Sequence, residues 1–302
     1  MSWFLVAILA YFFLALVSLF DRYLLVGPIA NPKIYTFYVG ILWFFVCFFL
    51  LPFGINLPEK IFIALGLLGG LIRIFGIIFL TKSIVKSEVS RVVPAIGGFL
   101  PIISFSLFFL YFPQGRDIDL YQLIAFLFLV LGSILIAFKK NFEESFNFRC
   151  LKYPIIAAFF YAVSFLFAKI TYLKTNFVTG LFLSLIGGGL GALCLFIFPD
   201  FKKELFSQKI TQKISGLFFV GQVAGGLGVL LQHYAIFLAK TDQVPLINAL
   251  EGIRYIFLLF FVLVLSFWKP ELLKEEIKGA AFFQKTVAVL LICVGLGILA
   301  FK

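Results

Sequence analysis

The chain has 302 residues, of which 63% are hydrophobic and only 13% are charged. Soluble globular proteins average about 45–50% apolar and about 25% charged residues, so this composition excludes an ordinary soluble domain. The net charge of +11 does not indicate a nucleic acid partner, because the Lys and Arg residues lie almost entirely in short segments between apolar runs. Lipid headgroups and membrane topology account for cations in such segments.

Ten apolar runs follow one another along the chain, and each is long enough to cross a bilayer as a helix, which takes about 20 residues. None of them alternates apolar and polar residues as the strands of a membrane barrel do. The first run is interpreted as a span and not as a cleaved signal, because no basic segment precedes it. The sequence therefore predicts an all-α membrane protein with ten transmembrane helices, near residues 3–20, 34–52, 61–81, 92–112, 119–138, 153–171, 177–198, 215–238, 244–267 and 285–301.

The second half of the chain repeats the first. Three motifs recur at a slowly growing offset of about 154 to 163 positions: Lys86–Val89 at Lys240–Val244, Gly66/Gly70 at Gly221/Gly225, and Gly132–Lys139 at Gly295–Lys302. Five spans per copy place the two copies in opposite orientations, and inverted repeats of this kind are typical of secondary transporters. The predicted units are a first five-helix repeat over 1–140, a linker over 141–152, and a second repeat over 153–302 with an interfacial insertion near 269–284.

Lysines and arginines are distributed unevenly between the two sides of the membrane. Loops numbered odd from the N-terminus hold seventeen of them, while even loops and the C-terminus hold six, namely Lys60, Arg116, Lys169, Lys174, Lys240 and Lys302. Cytoplasmic loops carry an excess of Lys and Arg. The count therefore favours odd loops in the cytoplasm and both termini outside.

Several segments show a recognisable pattern. The stretch Lys86–Phe112 combines a cationic turn, Pro94, a glycine pair, Pro101 and a Phe/Leu-rich helix, and Leu131–Ile136 and Val294–Leu299 are glycine-containing span ends. In these features, and over nearly its whole length, the chain resembles the EamA-like family of the drug/metabolite transporter superfamily. The resemblance implies a ten-span carrier with both termini in the cytoplasm, which is opposite to the orientation that the charge count favours.

Polar and small residues form stripes at helical spacing on only some of the predicted spans. Spans 1, 4, 6, 8 and 9 carry such stripes, and the third span joins them through Arg73. Spans 2, 5, 7 and 10 lack stripes through their middles. Six helices around a central cavity, with four peripheral ones, is also the arrangement that the family resemblance implies.

Three charged residues, Arg73, Glu251 and Arg254, are predicted to lie deep inside spans. Each is roughly nine to thirteen residues from a span end, which is about 13–20 Å at 1.5 Å per residue. A charge near the centre of a membrane helix costs about 2.5–3.5 kcal/mol. Such residues therefore face the protein interior or a wet cavity, and they pair.

Two interpretations of these charges remain open. In the first, Glu251 and Arg254 neutralise each other at i and i+3, and Arg73 bonds to backbone carbonyls. In the second, two arginines against one carboxylate leave a net positive cavity, which suits a carboxylate or phosphate group of a substrate. On the second interpretation Arg73 and Arg254 contact that group. A separate hypothesis is that Glu251 takes up a proton during transport.

The remaining candidates are polar or kinking residues with a structural alternative for each. The single histidine, His233, is a second candidate for proton coupling, or else a hydrogen-bonded structural residue. The prolines Pro94 and Pro101 kink the fourth span for gating or for packing. The other candidate substrate contacts, which would serve equally well as bonds between helices, are Gln222, Gln232, Asn248 and Tyr255.

Together these patterns predict a secondary transporter, or permease, that moves a small metabolite by alternating access around a central cavity. The substrate suggested is anionic or zwitterionic, such as an amino acid. A lipid or lipid-phosphate flippase is the alternative, because a positive cavity would also suit its headgroup. An enzyme is not expected, since the chain has no HExxH motif, no P-loop and no Ser or Cys with a plausible base.

No cofactor and no metal are expected, because the four cysteines form no CxxC motif and have no nearby ligand spacing. The expected partners are a small-molecule substrate and the lipid bilayer, with a homodimer left open and no nucleic acid. The expected location is the cell (inner) membrane, as a multi-pass protein.

Overall fold

The computed structural model describes residues 2–86, 89–113, 119–137, 148–208, 211–268 and 280–300. All regular secondary structure in these ranges is helical. Seven of the described helices are long and apolar enough to cross a membrane, and three shorter apolar helices accompany them over Pro32–Phe48, Leu120–Ile136 and Thr286–Ala300. The coarse prediction of an all-helical membrane protein is therefore supported by the length and composition of the helices.

Twelve α-helices are described, and eleven of them, all except α8, correspond in position to the ten predicted spans, because the short helix α10 and helix α11 together cover the ninth span. Two 3-10 turns, Leu51–Phe53 and Cys194–Ile197, follow the second and seventh of the long helices. The α-helices are α1 Ser2–Val26, α2 Pro32–Phe48, α3 Lys60–Lys86, α4 Val89–Tyr111, α5 Leu120–Ala137, α6 Phe148–Tyr172, α7 Phe177–Leu193, α8 Phe201–Ser207, α9 Gln212–Leu238, α10 Val244–Ala249, α11 Glu251–Trp268 and α12 Ala280–Ala300.

The helix ends differ from the hydropathy-based spans in informative ways. Helix α1 continues to Val26, well beyond the predicted end at residue 20, because an amphipathic last turn can be polar on one face and still be helical. Helix α6 begins at Phe148, inside the predicted linker 141–152. The predicted interfacial insertion near 269–284 lies mostly outside the described residues, and its last five residues belong to α12.

Two asparagines fix the starts of α2 and α7. The Asn31 side chain accepts hydrogen bonds from the backbone N–H groups of Lys33 and Ile34, and a proline follows at the first helical position. The Asn176 side chain accepts from the backbone N–H of Thr179 at 2.7 Å. Asparagine is among the preferred N-cap residues because it satisfies N–H groups that have no partner within the helix.

Glycines set the contact between α1 and α9. A Cβ atom on Gly221, Gly225 or Gly228 would lie 2.8–3.1 Å from side-chain atoms of Phe20, Val17 and Leu14 respectively. Along this contact the residue numbers in α1 fall while those in α9 rise, so the two helices are antiparallel. Small residues allow this close approach of membrane helices.

Helix α3 is held in the same way against α6 and α7. At Gly70 a Cβ atom would lie 1.9 Å from the carbonyl oxygen of Ser184, and at Gly187 it would lie 2.0 Å from that of Leu67. No side chain fits between backbones at these distances. The close contact of these helices therefore depends on glycine at these positions.

Helix α4 crosses the centre of the bundle with both of its prolines inside the helix. Pro94 and Pro101 are buried, and α4 packs against α5, α6, α10 and α11. Ring closure removes one backbone donor at each proline and disturbs the carbonyl one turn earlier. The ninth predicted span is likewise divided, with α10 and α11 separated at Leu250.

Candidate functional site

A cavity of about 80 Å³ lies between the central helices. At about 10–15 Å³ for each water centre, this is space for several water molecules. Its walls come from α1, α2, α3, α4, α6, α9 and α11. The lining residues are Leu14, Val17, Asp21, Tyr35, Val39, Trp43, Arg73, Ile77, Leu80, Thr81, Leu100, Tyr161, Phe165, Gln222, Gly225, Val229, Gln232, Glu251 and Arg254.

The six helices predicted to line a cavity all do so, and α2 joins them. The prediction that the second span is peripheral is wrong. Helix α2 contributes Tyr35, Val39 and Trp43, whose bulk is mainly aromatic or aliphatic. A search for polar stripes cannot detect such a wall, because aromatic residues are equally common on faces directed to lipid.

The cavity is displaced towards one end of the bundle. Its lining on α1 comes only from Leu14 to Asp21, in the second half of that helix, and its lining on α3 runs from Arg73 to Thr81. This is the end at which α1 and α3 finish, where the odd-numbered loops lie. Towards the other end, the helices are joined by a hydrogen-bonded set of polar side chains centred on Arg73.

The Arg73 guanidinium lies at the inner end of the cavity. Its Nη2 donates to Gln232 Oε1 at 2.8 Å, and it stands 5.0–5.8 Å from the ring centroids of Trp43, Tyr161 and Phe165. Aromatic rings at these distances stabilise a cation electrostatically. No described carboxylate forms an ion pair with this guanidinium. Of the first interpretation, the Glu251–Arg254 pair is present, but in the described contacts Arg73 bonds to side chains and not to backbone carbonyls.

His233 continues the polar set on the side of Arg73 away from the cavity. Its Nε2 lies 3.4 Å from Nη1 of Arg73, and its Nδ1 lies 2.8 Å from the Tyr172 hydroxyl. A guanidinium can only donate, so Nε2 accepts and the imidazole is neutral, with its proton on Nδ1. His233 is not in the cavity wall, and it contacts the cavity only through Arg73.

The same set extends to α1 and α10. Gln232 Nε2 donates to the Tyr11 hydroxyl at 3.4 Å, and that hydroxyl donates to the backbone carbonyl of Ile247 at 2.8 Å. We call the side chains of Tyr11, Tyr172, Gln232, His233 and Arg73 the polar layer. It connects α1, α3, α6, α9 and α10, and it closes the inner end of the cavity.

Glu251 and Arg254 form the ion pair expected from their i, i+3 spacing. Arg254 Nη1 donates to Glu251 Oε1 at 2.6 Å, and both side chains are buried. The guanidinium also donates to the Leu14 carbonyl and, through Nε and Nη2, to the Ser18 hydroxyl. The break at Leu250 places Glu251 in the first turn of α11, where the helix dipole favours a negative charge.

Asp21 is the charged residue of the site that sequence reasoning missed. It is buried at 7% exposure, it lines the cavity, and its Oδ1 accepts a hydrogen bond from the Tyr35 hydroxyl. Gln222 Nε2 donates to the same hydroxyl at 2.9 Å. The neighbouring Arg22 points elsewhere and donates to the carbonyl of Ile84 at 2.6 Å.

A sequence signal for Asp21 existed. It stands three residues after Ser18, on the same helical face as that polar residue, but the first span was ended at residue 20. With Asp21 included, the cavity wall holds two arginines and two carboxylates. The prediction of a net positive cavity is therefore corrected to a cavity with balanced formal charge.

The other candidates divide between the cavity and the helix contacts. Gln222 and Gln232 line the cavity, whereas Asn248 and Tyr255 are buried outside its wall. Asn248 Nδ2 donates to Ser104 Oγ at 2.7 Å, so it joins α10 to α4. Helix α4 reaches the cavity through Leu100 and not through its prolines. Among the residues that the structure describes, no group of three metal-ligating side chains is found.

Comparison with known proteins identifies a shared fold. No family model matches the chain, and no curated protein matches it. Sixteen chains of solved structures do match. One of these, a crystal structure of a protein, aligns with a TM-score of 0.67 over 100% of this chain and 96% of its own, at 14% identity. At that identity the match shows the fold alone, and the class that fold and site define is an all-helical membrane protein with a cavity that holds buried charged residues.

Proposed function

We propose that this protein is a secondary transporter, similar to the EamA-like family, that moves a small metabolite by alternating access. The observation that carries the proposal is the cavity itself, in which Asp21, Arg73, Glu251 and Arg254 are held among apolar helices. Charged residues at membrane depth are costly, and they mark substrate or ion pathways. A purely structural bundle has no need of an unpaired arginine beside a cavity.

The arrangement of helices supports ten spans in two inverted repeats. If each helix is replaced by its counterpart in the other repeat, the contact of α3 with α6 becomes the contact of α9 with α1, and both contacts occur. Helices α5 and α12 are counterparts of each other, so the same exchange leaves their contact unchanged. There Gly132 faces Ala288 while its repeat counterpart Gly295 faces Ala125, which is the reciprocity that a two-fold relation requires. The proposed site lies between the repeats, as it does in carriers of this construction.

The polar layer supplies a mechanism for alternation. It closes the cavity at one end through hydrogen bonds that connect helices of both halves, and Arg73 belongs to the layer and to the cavity wall. An anionic substrate group that binds the remaining donors of Arg73 would draw the guanidinium into the cavity and away from Gln232 and His233. Substrate binding would therefore weaken the hydrogen bonds that close this end. A ligand shifts a protein between two conformations only if it interacts differently with each of them, and this effect on the polar layer is such a difference.

The proposed setting is a multi-pass protein of the cell membrane, whose partners are the substrate and the bilayer. Balanced charge in the wall favours a zwitterionic substrate over a simple anion. Glu251 and His233 remain the candidates for proton coupling, and Pro94 and Pro101 remain candidates for gating by movement of α4.

The test is thermal unfolding of the purified protein in detergent with panels of anions, zwitterions, cations and phospholipids. A ligand at 100 times its Kd adds about 2.7 kcal/mol to the stability of the folded state, which is a readable shift. The stabilising compound should then exchange across vesicles that contain the protein. Arg73→Gln should lose both effects, whereas Lys203→Gln, which changes an exposed lysine of α8, should keep them.

Stabilisation by phospholipids or lipid phosphates alone would replace the carrier with a flippase. Unchanged binding and exchange in Arg73→Gln would remove Arg73 from the site.

A further inference from the structure

The cavity contains two opposite charges that do not neutralise each other. Glu251 and Arg254 form a pair at 2.6 Å. Asp21 and Arg73 also line the wall, and neither forms an ion pair with any side chain in the described ranges. A buried charge without an opposite partner is unfavourable by several kcal/mol.

These two charges lie at different levels of the bundle. Arg73 is hydrogen-bonded to Gln232, whereas Asp21 is connected to Gln222 through Tyr35. Gln222 and Gln232 are ten residues apart on α9, which corresponds to about 15 Å along the helix axis. Helix α1 gives the same separation between Tyr11 and Asp21.

The Glu251–Arg254 pair lies between these two levels. It is anchored to Leu14 and Ser18 of α1, which stand between Tyr11 and Asp21 in the same helix. A ligand that reached from one end to the other would therefore pass polar groups at its middle.

Both end groups have unused bonding capacity. A guanidinium has five N–H donors, and Arg73 uses two of its nitrogens in the described contacts. An ionised carboxylate has about four acceptor sites, and Asp21 accepts one described hydrogen bond, from Tyr35. A ligand that is positive at one end and negative at the other would satisfy both.

We propose that Asp21, with Tyr35 and Gln222, is the subsite for the cationic end of a linear zwitterion whose anionic end binds Arg73. The substrate class is an ω-amino acid or a short peptide, in which several bonds separate the two charges. An extended di- or tripeptide spans about 7–11 Å. This is shorter than the separation of the two levels, and the side chains of Asp21 and Arg73 extend into the cavity to make up the difference. This assignment rests on the proposed function, because it names the substrate class of the same cavity.

The experiment is a thermal-shift titration of the full chain in detergent with ligands of graded charge separation. The zwitterions are glycine, 4-aminobutyrate, 6-aminohexanoate, diglycine and triglycine, and the single-charge controls are hexanoate and hexylammonium. The apparent affinity is expected to rise at least tenfold from glycine to the best longer zwitterion. The single-charge compounds should bind at least tenfold more weakly than that zwitterion.

Variants separate the two ends of the site. Asp21→Asn should weaken the longer zwitterions at least tenfold and leave hexanoate unchanged, while Arg73→Gln should weaken hexanoate and leave hexylammonium unchanged. Asp200→Asn, at an exposed carboxylate outside the cavity, is the matched control and should behave as the parent chain. If Asp21→Asn does not fold, Tyr35→Phe tests the same subsite and should weaken the longer zwitterions selectively.

The outcomes distinguish this inference from the proposed function. Glycine binding as tightly as the longer zwitterions would overturn the inference. Unchanged affinity of Asp21→Asn for the longer zwitterions would also overturn it, as would unchanged affinity of Tyr35→Phe if Asp21→Asn does not fold. In that case the proposed transport function would still hold if hexanoate were bound and exchanged. Binding of no soluble compound, with stabilisation by phospholipid alone, would overturn both.

Discussion

All three guanidinium nitrogens of Arg254 donate to acceptors of the protein, whereas only two of those of Arg73 do so in the described contacts. The Arg254 guanidinium donates to a carboxylate, a hydroxyl and a carbonyl, so its donors face fixed acceptors within the protein. Arg73 has two neutral side-chain partners and three aromatic rings around it. We infer a division of roles, in which Arg254 and Glu251 stabilise the fold and Arg73 is available to a ligand.

This division predicts a large effect of breaking the buried pair. Arg254→Gln leaves Glu251 as an uncompensated buried charge, and removal of one partner of such a pair typically costs about 3–5 kcal/mol. Glu251→Gln together with Arg254→Gln removes both charges and should recover part of that loss. The measurement is thermal unfolding in detergent of both single variants and the double variant. Additive losses would contradict the role of the pair.

Asp21 shows where residue-level prediction from the sequence ended. Arg73, Glu251 and Arg254 could be identified because each interrupts a long apolar run, and a charge within such a run is a strong signal. Asp21 lies near the polar end of α1, where a loop residue and a cavity residue have the same sequence context. Only the length of α1, which continues to Val26, decides between them.

At the scale of helices, the contacts depend on glycine positions that leave no room for a side chain. Helices α3 and α7 approach until a Cβ atom on Gly70 would lie 1.9 Å from a backbone oxygen. Backbone atoms cannot rotate away as a side chain can, so the whole helix would have to move. Since α3 carries Arg73, such a movement would also displace the cavity wall.

Gly70→Ala is therefore expected to destabilise the protein by about 1–3 kcal/mol, the usual cost of overpacking a well-packed contact. The matched control is Gly226→Ala, at a position in α9 with no atom within 4 Å of the added Cβ. That change should be neutral or slightly stabilising, because alanine favours a helix more than glycine does. Melting temperatures of the two variants test the difference, and equal losses would refute the packing account.

Helix identity was predictable from hydropathy, while helix function was only partly so. The long apolar runs identified the seven described helices that are long and apolar enough to cross a membrane, because burial in lipid demands about 20 apolar residues. The role of α2 in the cavity was not predictable, since Tyr35 and Trp43 resemble lipid-facing aromatics in the sequence. The break at Leu250 was not predicted either, because Pro245 and Gly252 lie near it but do not mark its position within the apolar run.

For the molecule as a whole, the remaining question is which end of the cavity faces the cytoplasm. The odd-loop end carries most of the cationic residues. It also holds a second, wider cavity of about 640 Å³ whose wall includes Lys33, Lys82 and Lys86. The charge bias places this end in the cytoplasm, and the family resemblance places it outside.

Labelling of introduced cysteines decides between the two orientations. In a variant with serine at Cys47, Cys150, Cys194 and Cys293, a cysteine replaces either Leu57, exposed in an even loop, or Lys202, exposed in an odd loop. We expect a membrane-impermeant maleimide to label position 57 in intact cells, and position 202 only after permeabilisation.

The result also fixes the direction of the state described here. The cavity lies towards the odd loops and the polar layer closes it from the even loops. On the proposed transport function, labelling as expected would mean that the closed layer faces the outside and that the next step of the cycle is the opening of Arg73, Gln232 and His233 outwards. On the same proposal, the reverse labelling would assign this layer to the cytoplasmic gate, and the substrate would meet Asp21 first from outside.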